Sequence, residues 1–561
     1  MLPRWILARD AASDSLPWAD LCDSACIASL LRRRNFADAA SVRAFLQPRL
    51  SGLSDPLLLR GMEEAVVRIL QAIDQKQRVV LFGDYDVDGV TSLALLARVL
   101  RAYDGDVALF LPHRMEEGYG LSTDALARCL QQHDPQLFIA VDCGTSSIDE
   151  IAQLRRQNID VIVLDHHEPK AKQPDCVLVN PKAEDASPFE YLCSVGIVFK
   201  LCHALLRSRR LEFDLKNELD LVALGTVADI VPLRGDNRAF VKSGSAVIGR
   251  TPRPGLRKLV EVAGVKTPIA PDDIGFRLGP RLNAAGRLDS AEKALRLLLT
   301  DDAAEAEALA RELDAQNRER QEVEKRILAA AEELLAREPG ENAAIALAAR
   351  GWHPGVLGIV ASRLAKKYHR PTMIIGFDEN GMGKGSGRSI EGFSLVEALQ
   401  VCDGALERFG GHEMAAGVTL REGNFPLFRE RFLAAARARL TDDALTPRLH
   451  LDAKIALAEI NFELLRWHEM LQPFGNGNPQ PVFVACGVEA ASAPRLVGER
   501  HISLQLKQRN WTQHAIYFDG AANPLPPAPW DVAFRIRPDV YQGETRISLQ
   551  VQGIRSAVPL A

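Results

Sequence analysis

The sequence predicts an α/β protein in which a parallel-sheet domain is joined by a long helix to a smaller α/β domain, with an all-β barrel at the C-terminus. Three observations predict this architecture. Between residues 55 and 250, short apolar runs alternate with helix-forming segments, the rhythm of a parallel sheet covered on both faces. Residues 301–337 contain neither Pro nor Gly, so a single helix can run through them. After Thr446-Pro447 the pattern changes to short strands separated by Pro/Gly turns. At 561 residues the chain is too long for one core.

The elements follow in order. The first fifty residues are helical and rich in Arg and Ala, and carry no recognisable chemistry. The strand candidates are 78–83, 107–112, 136–142, 159–164 and 176–180, with a helix over Val90 to Leu100. Thr300-Asp301-Asp302 supplies an N-cap for the long helix. At ~37 residues it would extend ~55 Å, enough for a strut between domains, and it lacks the sustained heptad of a coiled coil. Pro339-Gly340 ends it. Ala344 to Ala348 and Thr372 to Ile375 read as strands around a helix at 355–369. The glycine-rich stretches 381–389 (GMGKGSGRS) and 409–417 (FGGHEMAAG) read as loops, and a helix over 425–440 closes the unit. Residues 481–484, 502–506 and 547–551 are strands of a small antiparallel barrel. The expected divisions are 1–54, 55–260, 261–338, 339–445 and 446–561.

Composition narrows the class. The formal net charge of −5 argues mildly against a protein that coats nucleic acid, although positive charge can be confined to a groove. Nine cysteines are scattered without CxxC pairs, and the four-residue spacing of Cys22 and Cys26 predicts one helix face rather than a metal knuckle. The N-terminus has no sustained apolar region, and no segment approaches 18 uncharged apolar residues. The expectation is a reducing, cytoplasmic location.

Chemistry concentrates at the ends of the predicted strands. Asp84, Asp86 and Asp88 alternate in a turn between the run Val79–Phe82 and the helix that follows. Three carboxylates so close repel one another unless cations neutralise them. Asp142 ends the next strand, Asp165-His166-His167 ends the one after, and Asp229 ends an apolar helical stretch from Leu219 to Val227. The carboxyl edge of a parallel sheet is where α/β folds place their sites. Carboxylates with imidazole suit Mn²⁺ or Mg²⁺, and the lack of a cysteine set argues against structural zinc. Acid-rich sites of this kind hold two divalent ions about 4 Å apart that clamp a phosphoryl group and activate water.

DYDVDG at 84–89, VDCG at 141–144, DHHE at 165–168 and ADIVP at 228–232 resemble the four successive motifs of the DHH phosphoesterase superfamily. GRS at 387–389 and GGHEMAAG at 410–417 resemble its companion DHHA1 domain, and GFRLGPRLNAAGRLDSA at 275–291 resembles a segment typical of the RecJ family. The resemblance covers roughly residues 50–560. It implies a DHH domain, a DHHA1 domain and a C-terminal OB-fold, and a metal-dependent 5′→3′ exonuclease specific for single-stranded DNA, active in DNA repair and recombination. It implies that Asp84, Asp86, Asp88, Asp142, His166 and Asp229 bind the two ions, with Asp142 the candidate to bridge them. Asp165 would orient a histidine from behind, and His167 would contact the scissile phosphate or donate a proton. Water is the nucleophile, since no serine or cysteine has a histidine base implied by the sequence.

A 5′ end needs an anion pocket apart from the metals. The resemblance implies that Arg114, Ser386 and Arg388 form it, through the bidentate fork that suits Arg to phosphate. Tyr119 would stack on a base, Arg281, Asn283 and Arg287 would line the strand's path, and His353, Arg363 and His412 would line it in the DHHA1 domain. Arg363 with Lys366, Lys367, His369 and Arg370 reads either as a basic binding face or as a solvated one. In the barrel, Arg495, Arg500, His501, Lys507, Arg509, Trp511 and Tyr517 offer charge and stacking. The implied partners are single-stranded DNA with a 5′ end, single-strand-binding protein and a RecQ-type helicase, with the protein a monomer. Two alternatives differ in class: a phosphodiesterase for short oligonucleotides or cyclic dinucleotides, which needs neither the long helix nor the barrel, and an inactive replication scaffold, which would lack ligands.

Overall fold

The computed structural model describes residues 3–8, 21–34, 36–113, 117–118, 120–288, 290–337, 342–522, 524–541 and 543–557. Contacts divide the chain into two compact units. One is built on residues 6–286, 290–311 and 450–561, and the other on 312–449.

The first unit is organised by a five-stranded, wholly parallel sheet. Its strands are β1 (Arg78–Gly83), β2 (Asp106–Phe110), β3 (Leu137–Val141), β4 (Asp160–Leu164) and β5 (Val177–Val179), in the order β2-β1-β3-β4-β5. Gly83 lies opposite Val141, Val141 opposite Leu164 and Leu164 opposite Val179, so the carboxyl ends share one edge. On one face, Val80, Phe82, Phe138 and Val163 form a core with Leu126, Cys129, Ile151 and Leu154 of two flanking helices. The other face carries α1 (Val87–Ala102), which is buried along most of its length. Two further helices pack on α1: α2 (Ser194–Ser208) and α3 (Leu219–Ala228). All residues of α3 from Leu219 to Thr226 are buried, as its all-round apolar sequence requires. One π-helical turn, Ile274–Leu278, leads into α4 (Gly279–Leu288).

The long helix is α5 (Ala303–Ala336), 34 residues, or ~51 Å at 1.5 Å per residue. Asp302 caps it, its carboxylate accepting the Glu305 N–H at 2.8 Å. The division between the two units falls inside this helix, after Arg311.

In the second unit, β6 (Ile345–Arg350), α6 (Pro354–Tyr368) and β7 (Thr372–Phe377) form a parallel βαβ. The glycine-rich stretches expected as loops are strands. They form β8 (Met382–Arg388), β9 (Arg408–Gly411) and β10 (Ala415–Arg421), which extend the sheet in the order β9-β10-β8-β7-β6. The alternating glycines of β8 answer a demand for space. A Cβ at Gly383 would lie 2.4 Å from the Phe377 ring, one at Gly385 2.6 Å from Ile375 and Val418, and one at Gly387 2.7 Å from Met373. Large neighbours thus fill one side of the strand, and Lys384, Ser386 and Arg388 occupy the other.

The C-terminal strands are β11 (Phe483–Ala490), β12 (His501–Gln508), β13 (Trp511–Tyr517), β14 (Trp530–Tyr541) and β15 (Glu544–Ser556). Pairing runs β11-β14-β15-β13-β12 and closes through Glu489 opposite Lys507, giving a five-stranded OB-like barrel. It is not wholly antiparallel, because β13 and β15 run parallel. The barrel belongs to the same compact unit as the parallel sheet. Its core is completed by the N-terminal helices Ala25–Arg32 and Ala39–Leu46, whose Ile27, Leu30, Leu31, Val42 and Leu46 join Phe483, Leu504, Val532 and Phe534. Cys22 and Cys26 do not share a helix face: Cys22 precedes the N-cap Ser24, and all nine cysteines are free. Among the described residues, no helix is long and apolar enough to cross a membrane.

Candidate functional site

The carboxyl edge of the parallel sheet gathers the predicted acids and histidines. Asp86 is the N-cap of α1, its Oδ1 accepting the N–H of Asp88 at 2.9 Å and of Gly89 at 3.2 Å. Gly89 is required there, since a Cβ would sit 2.4 Å from the Asp84 carbonyl oxygen. Asp88 lies in the first turn of α1 and in turn caps α2, accepting the N–H of Ser194 at 2.7 Å and of Val195 at 2.9 Å. Asp142 follows β3 with φ +63° and accepts the Ser194 hydroxyl at 3.0 Å. Asp229 ends α3.

His166 closes the cluster. Its Nε2 is 3.4 Å from Asp142 Oδ1, 3.5 Å from Asp229 Oδ2 and 3.9 Å from Asp88 Oδ2. Both ring nitrogens of His166, both carboxylate oxygens of Asp84 and one of Asp229 are buried without a hydrogen-bond partner. Buried polar atoms are ordinarily satisfied, so an orphaned set of this size demands a ligand. Among the described residues, three triads have donor atoms within 4.8 Å of one another: Asp142 with His166 and His167, Asp84 with Asp86 and Asp142, and Asp88 with Cys193 and Asp229. Asp142 belongs to two of them. Burial raises the Cys193 thiol well above its usual range, and apart from that one thiol the donors are oxygen and imidazole. That set fits hard divalent cations such as Mn²⁺ or Mg²⁺.

The electrostatics agree. Burial, reinforced by Asp86, pushes Asp88 up to about 7 and Asp84 well above the carboxylate range. Burial and the neighbouring Asp88 raise Asp142 and Asp229 in the same sense. The site therefore holds either protons or cations. Burial, then the nearby His167, drives His166 down to about 3, so it presents the neutral imidazole that metals bind.

Asp165 faces a different task. Its Oδ1 accepts the N–H of His166 at 2.7 Å and of His167 at 3.1 Å and lies 2.7 Å from His167 Nδ1, while Oδ2 accepts the Thr145 N–H at 3.0 Å. Burial opposes its ionisation, but the His167 hydrogen bond and charge outweigh burial and hold it below the usual range. Reciprocally, burial disfavours the charged His167 ring, but Asp165, Asp229 and Asp84 lift it to about 9. Several supporting residues escaped the sequence reading. Ser194 and Val195 hold Asp88, and Asn180 donates to the Thr145 hydroxyl and the His167 carbonyl, both at 2.9 Å. A polar residue after β5, at the same edge as the others, was the available signal for Asn180.

The remaining predicted residues divide. Arg114, Tyr119 and the side chain of Arg287 lie outside the described residues. Asn283 accepts the Val87 N–H at 3.2 Å, bracing the Asp84–Asp88 turn, and Arg281 donates to the Arg277 carbonyl at 2.6 Å. In the second unit, Ser386 and Arg388 are brought together, the guanidinium donating to the Ser386 hydroxyl at 3.2 Å. Gly358 of α6 lies against them, since a Cβ there would be 3.0 Å from Ser386 Oγ. Arg388 also lines a cavity of about 520 Å³ with Ser362, Lys366, His369 and Ser389. His353 caps α6, its Nδ1 accepting the Gly355 N–H at 3.1 Å, and His412 sits in the turn between β9 and β10. Arg363 is paired with the buried Glu324, and Lys367 with Glu332 at 2.7 Å. Arg370 is not part of a basic face. It is buried and donates to the carbonyls of Asn342, Tyr368, His369 and Leu445. On the barrel, Trp511 is 55% exposed.

Known proteins match along the whole arrangement. The DHH family N-terminal domain matches residues 78–226, the DHHA1 domain 340–440 and the RecJ OB domain 451–553. The single-stranded-DNA-specific exonuclease RecJ of Bacillus subtilis (strain 168) is 40% identical over 460 residues, covering 81% of this chain, which spans 58% of that relative's length. RecJ of Escherichia coli (strain K12) is 36% identical over 501 residues, 85% of this chain and 86% of the relative. The crystal structure of RecJ from Thermus thermophilus in complex with Mn²⁺ superposes with a TM-score of 0.84 at 34% identity, covering 99% of this chain and 80% of that one. The corresponding Mg²⁺ complex gives 0.78 at 33% identity, covering 100% of this chain and 79% of that one. A carboxylate and imidazole cluster at the sheet edge, a DHHA1 domain and an OB barrel in one chain, with this identity to RecJ proteins over more than 80% of the chain, place the chain in the RecJ family of single-stranded-DNA-specific exonucleases.

Proposed function

We propose that the protein is a metal-dependent exonuclease that hydrolyses single-stranded DNA from the 5′ end, in DNA repair and recombination. The observation that carries this reading is the orphaned, buried donor set of Asp84, His166 and Asp229 at the sheet edge, in a chain of the RecJ family. Asp84, Asp86, Asp88, Asp142, His166 and Asp229 would hold two ions, Mn²⁺ or Mg²⁺, and Asp142, common to two of the triads, would be the ligand they share. When bound, the ions stabilise charge developing on the phosphoryl oxygens and acidify the attacking water. Asp165 fixes the 166–167 backbone and hydrogen-bonds the His167 ring, which holds the ring in place to meet the scissile phosphate.

Direction comes from an anion pocket. Arg388, with Ser386, receives the 5′-terminal phosphate together with Arg114, and the adjoining cavity carries two more basic side chains, Lys366 and His369. Tyr119, Arg281, Asn283, Arg287, His353, Arg363 and His412 contact the strand, and the barrel grips it farther along through Trp511 and its basic neighbours. The protein acts as a cytoplasmic monomer beside single-strand-binding protein and a RecQ-type helicase. The test is degradation of a long oligonucleotide labelled at either end, with Mn²⁺ or Mg²⁺, beside a duplex and an RNA of the same sequence. The 5′ label should be released first and only from single-stranded DNA. Release of the 3′ label first, or equal attack on the duplex, would reject the reading.

A further inference from the structure

The segment after Asp229 has a backbone that its own residues do not explain. Ile230 has φ +60°, a region that β-branched residues avoid, and its side chain is 70% exposed, so packing does not hold it there. The constraint comes from the barrel side of the same unit. Asn476 Nδ2 donates to the Ile230 carbonyl at 2.6 Å, and the Asn476 carbonyl accepts the Leu233 N–H at 2.8 Å. Two reciprocal bonds thus pin both ends of the turn that follows the acid. The approach is close, since a Cβ on Gly475 would lie 2.7 Å from the Leu233 side chain.

The loop bearing Asn476 is itself fixed. Asn478 donates to the carbonyls of Leu471 and Pro473 at 2.8 Å and accepts Arg34 at 2.9 Å. The buried Arg238 donates to Leu471 at 3.1 Å and Gln472 at 2.9 Å. From the other side, Asn237 donates to the Pro232 carbonyl at 3.0 Å. A rigid loop therefore meets a turn in an unfavourable conformation, directly beside a candidate metal ligand.

We propose that Asn476 is a positioning residue for Asp229: by holding Ile230 in the left-handed conformation, the loop leading into the barrel aims the Asp229 carboxylate at the metal centre. This rests on the reading of Asp229 as a metal ligand. It gives the C-terminal region a second role, in the chemistry as well as in the grip on DNA. It also means that removing residues after 447 would impair cleavage of short and long strands alike.

The test uses the full chain and reads Mn²⁺ binding by calorimetry, with turnover on a four-nucleotide substrate as the second readout. Asn476→Ala and the isosteric Asn476→Asp both remove the amide donor and keep the backbone bond to Leu233. Each should weaken Mn²⁺ binding and lower kcat by roughly 10-fold or more, as lost outer-sphere support does, with KM on long single strands unchanged. Ile230→Gly, which relaxes the turn, should restore most of the loss when combined with either variant. Wild-type Mn²⁺ affinity in both Asn476 variants, or a loss that Ile230→Gly fails to recover, would overturn the proposal. Asp229→Asn separates it from the reading beneath: if Asp229→Asn binds Mn²⁺ normally, Asp229 is not a ligand. If Asp229→Asn loses Mn²⁺ while the Asn476 variants do not, only the positioning role fails.

Discussion

Helix α3 has a buried acidic cluster at each end, and the two are built differently. At its start, Glu218 and Asp220 are fully buried, and each has a resident cation. Arg253 reaches Asp220 at 3.0 Å and also Glu218, Arg98 reaches Glu218 at 3.2 Å, and Thr251 donates to Asp220 at 2.7 Å. At its end, Asp229 joins Asp84, Asp88 and His166, and among the described residues no Arg or Lys pairs with those three acids within salt-bridge distance. Burying a carboxylate is costly, and the fold meets that cost at one end with its own arginines. The other end has no such partner among the described residues, and it is where we propose that the cations bind. The contrast separates an acid cluster that serves stability from one that serves chemistry.

The largest effect should come from the metal end. Asp142→Asn is expected to reduce hydrolysis roughly 10⁴-fold, about 5 kcal/mol in the barrier, measured by single-turnover release from a labelled oligonucleotide. The metal-free variant should melt higher than wild type at pH 8, because a repelling buried charge is gone. The same repulsion gives a pH dependence. Folded Asp88 is raised to about 7 from an unfolded value near 4, so its contribution to stability is present below pH 4 and lost as pH rises through 7. Asp84, Asp142 and Asp229 shift in the same direction. The metal-free protein should thus melt lower at pH 8 than at pH 5, and chelation with EDTA should cost more stability at pH 8. A Tm of the metal-free protein that rises with pH over this range would break the comparison.

The paired end should answer in the opposite sense. Asp220→Ala leaves the buried Arg253 with Glu218 alone and the Thr251 hydroxyl without its acceptor, and should cost about 2–3 kcal/mol in urea unfolding, with Mn²⁺ affinity of the folded fraction unchanged. If Asp220→Ala lowered Mn²⁺ affinity as strongly as Asp142→Asn, the two ends would not be distinct. A smaller effect is expected at the anion pocket. Arg388→Ala should weaken engagement of 5′-phosphorylated ends by about 2 kcal/mol, roughly 30-fold, and of 5′-hydroxyl ends by less. Equal losses on both would make Arg388 a general backbone contact. Smallest is Trp511→Ala, expected to weaken long single strands by about 1 kcal/mol and to leave a four-nucleotide substrate unaffected.

Much of this was legible in the chain because it is local. The spacing of Asp84, Asp86 and Asp88 places three acids on one turn, and the apolar runs locate all five strands of the parallel sheet, so the shared edge follows from topology. What the chain concealed is either distant or indifferent to residue type. Ser194 and Val195 hold Asp88 from 106 residues away through backbone N–H groups, which carry no sequence signature. Glycines in β8 read as loop because the side chains that require them, Phe377, Ile375 and Met373, belong to a neighbouring strand. Nothing in an isoleucine announces a left-handed backbone at residue 230. The barrel, more than 200 residues beyond Asp229, reads as a detachable module, whereas Asn476 and the N-terminal helices tie it into the same unit.

If the orphaned donors at the sheet edge are a cation site, they trade protons for metal. Titration of the metal-free protein with Mn²⁺ at pH 6 and pH 8, in two buffers of different ionisation enthalpy, tests it directly. Two ions should bind per chain, more tightly at pH 8 and with larger proton release at pH 6, and Asp142→Asn should lose at least one of them. Mn²⁺ binding that is independent of pH and releases no protons, or that persists unchanged in Asp142→Asn, would contradict it.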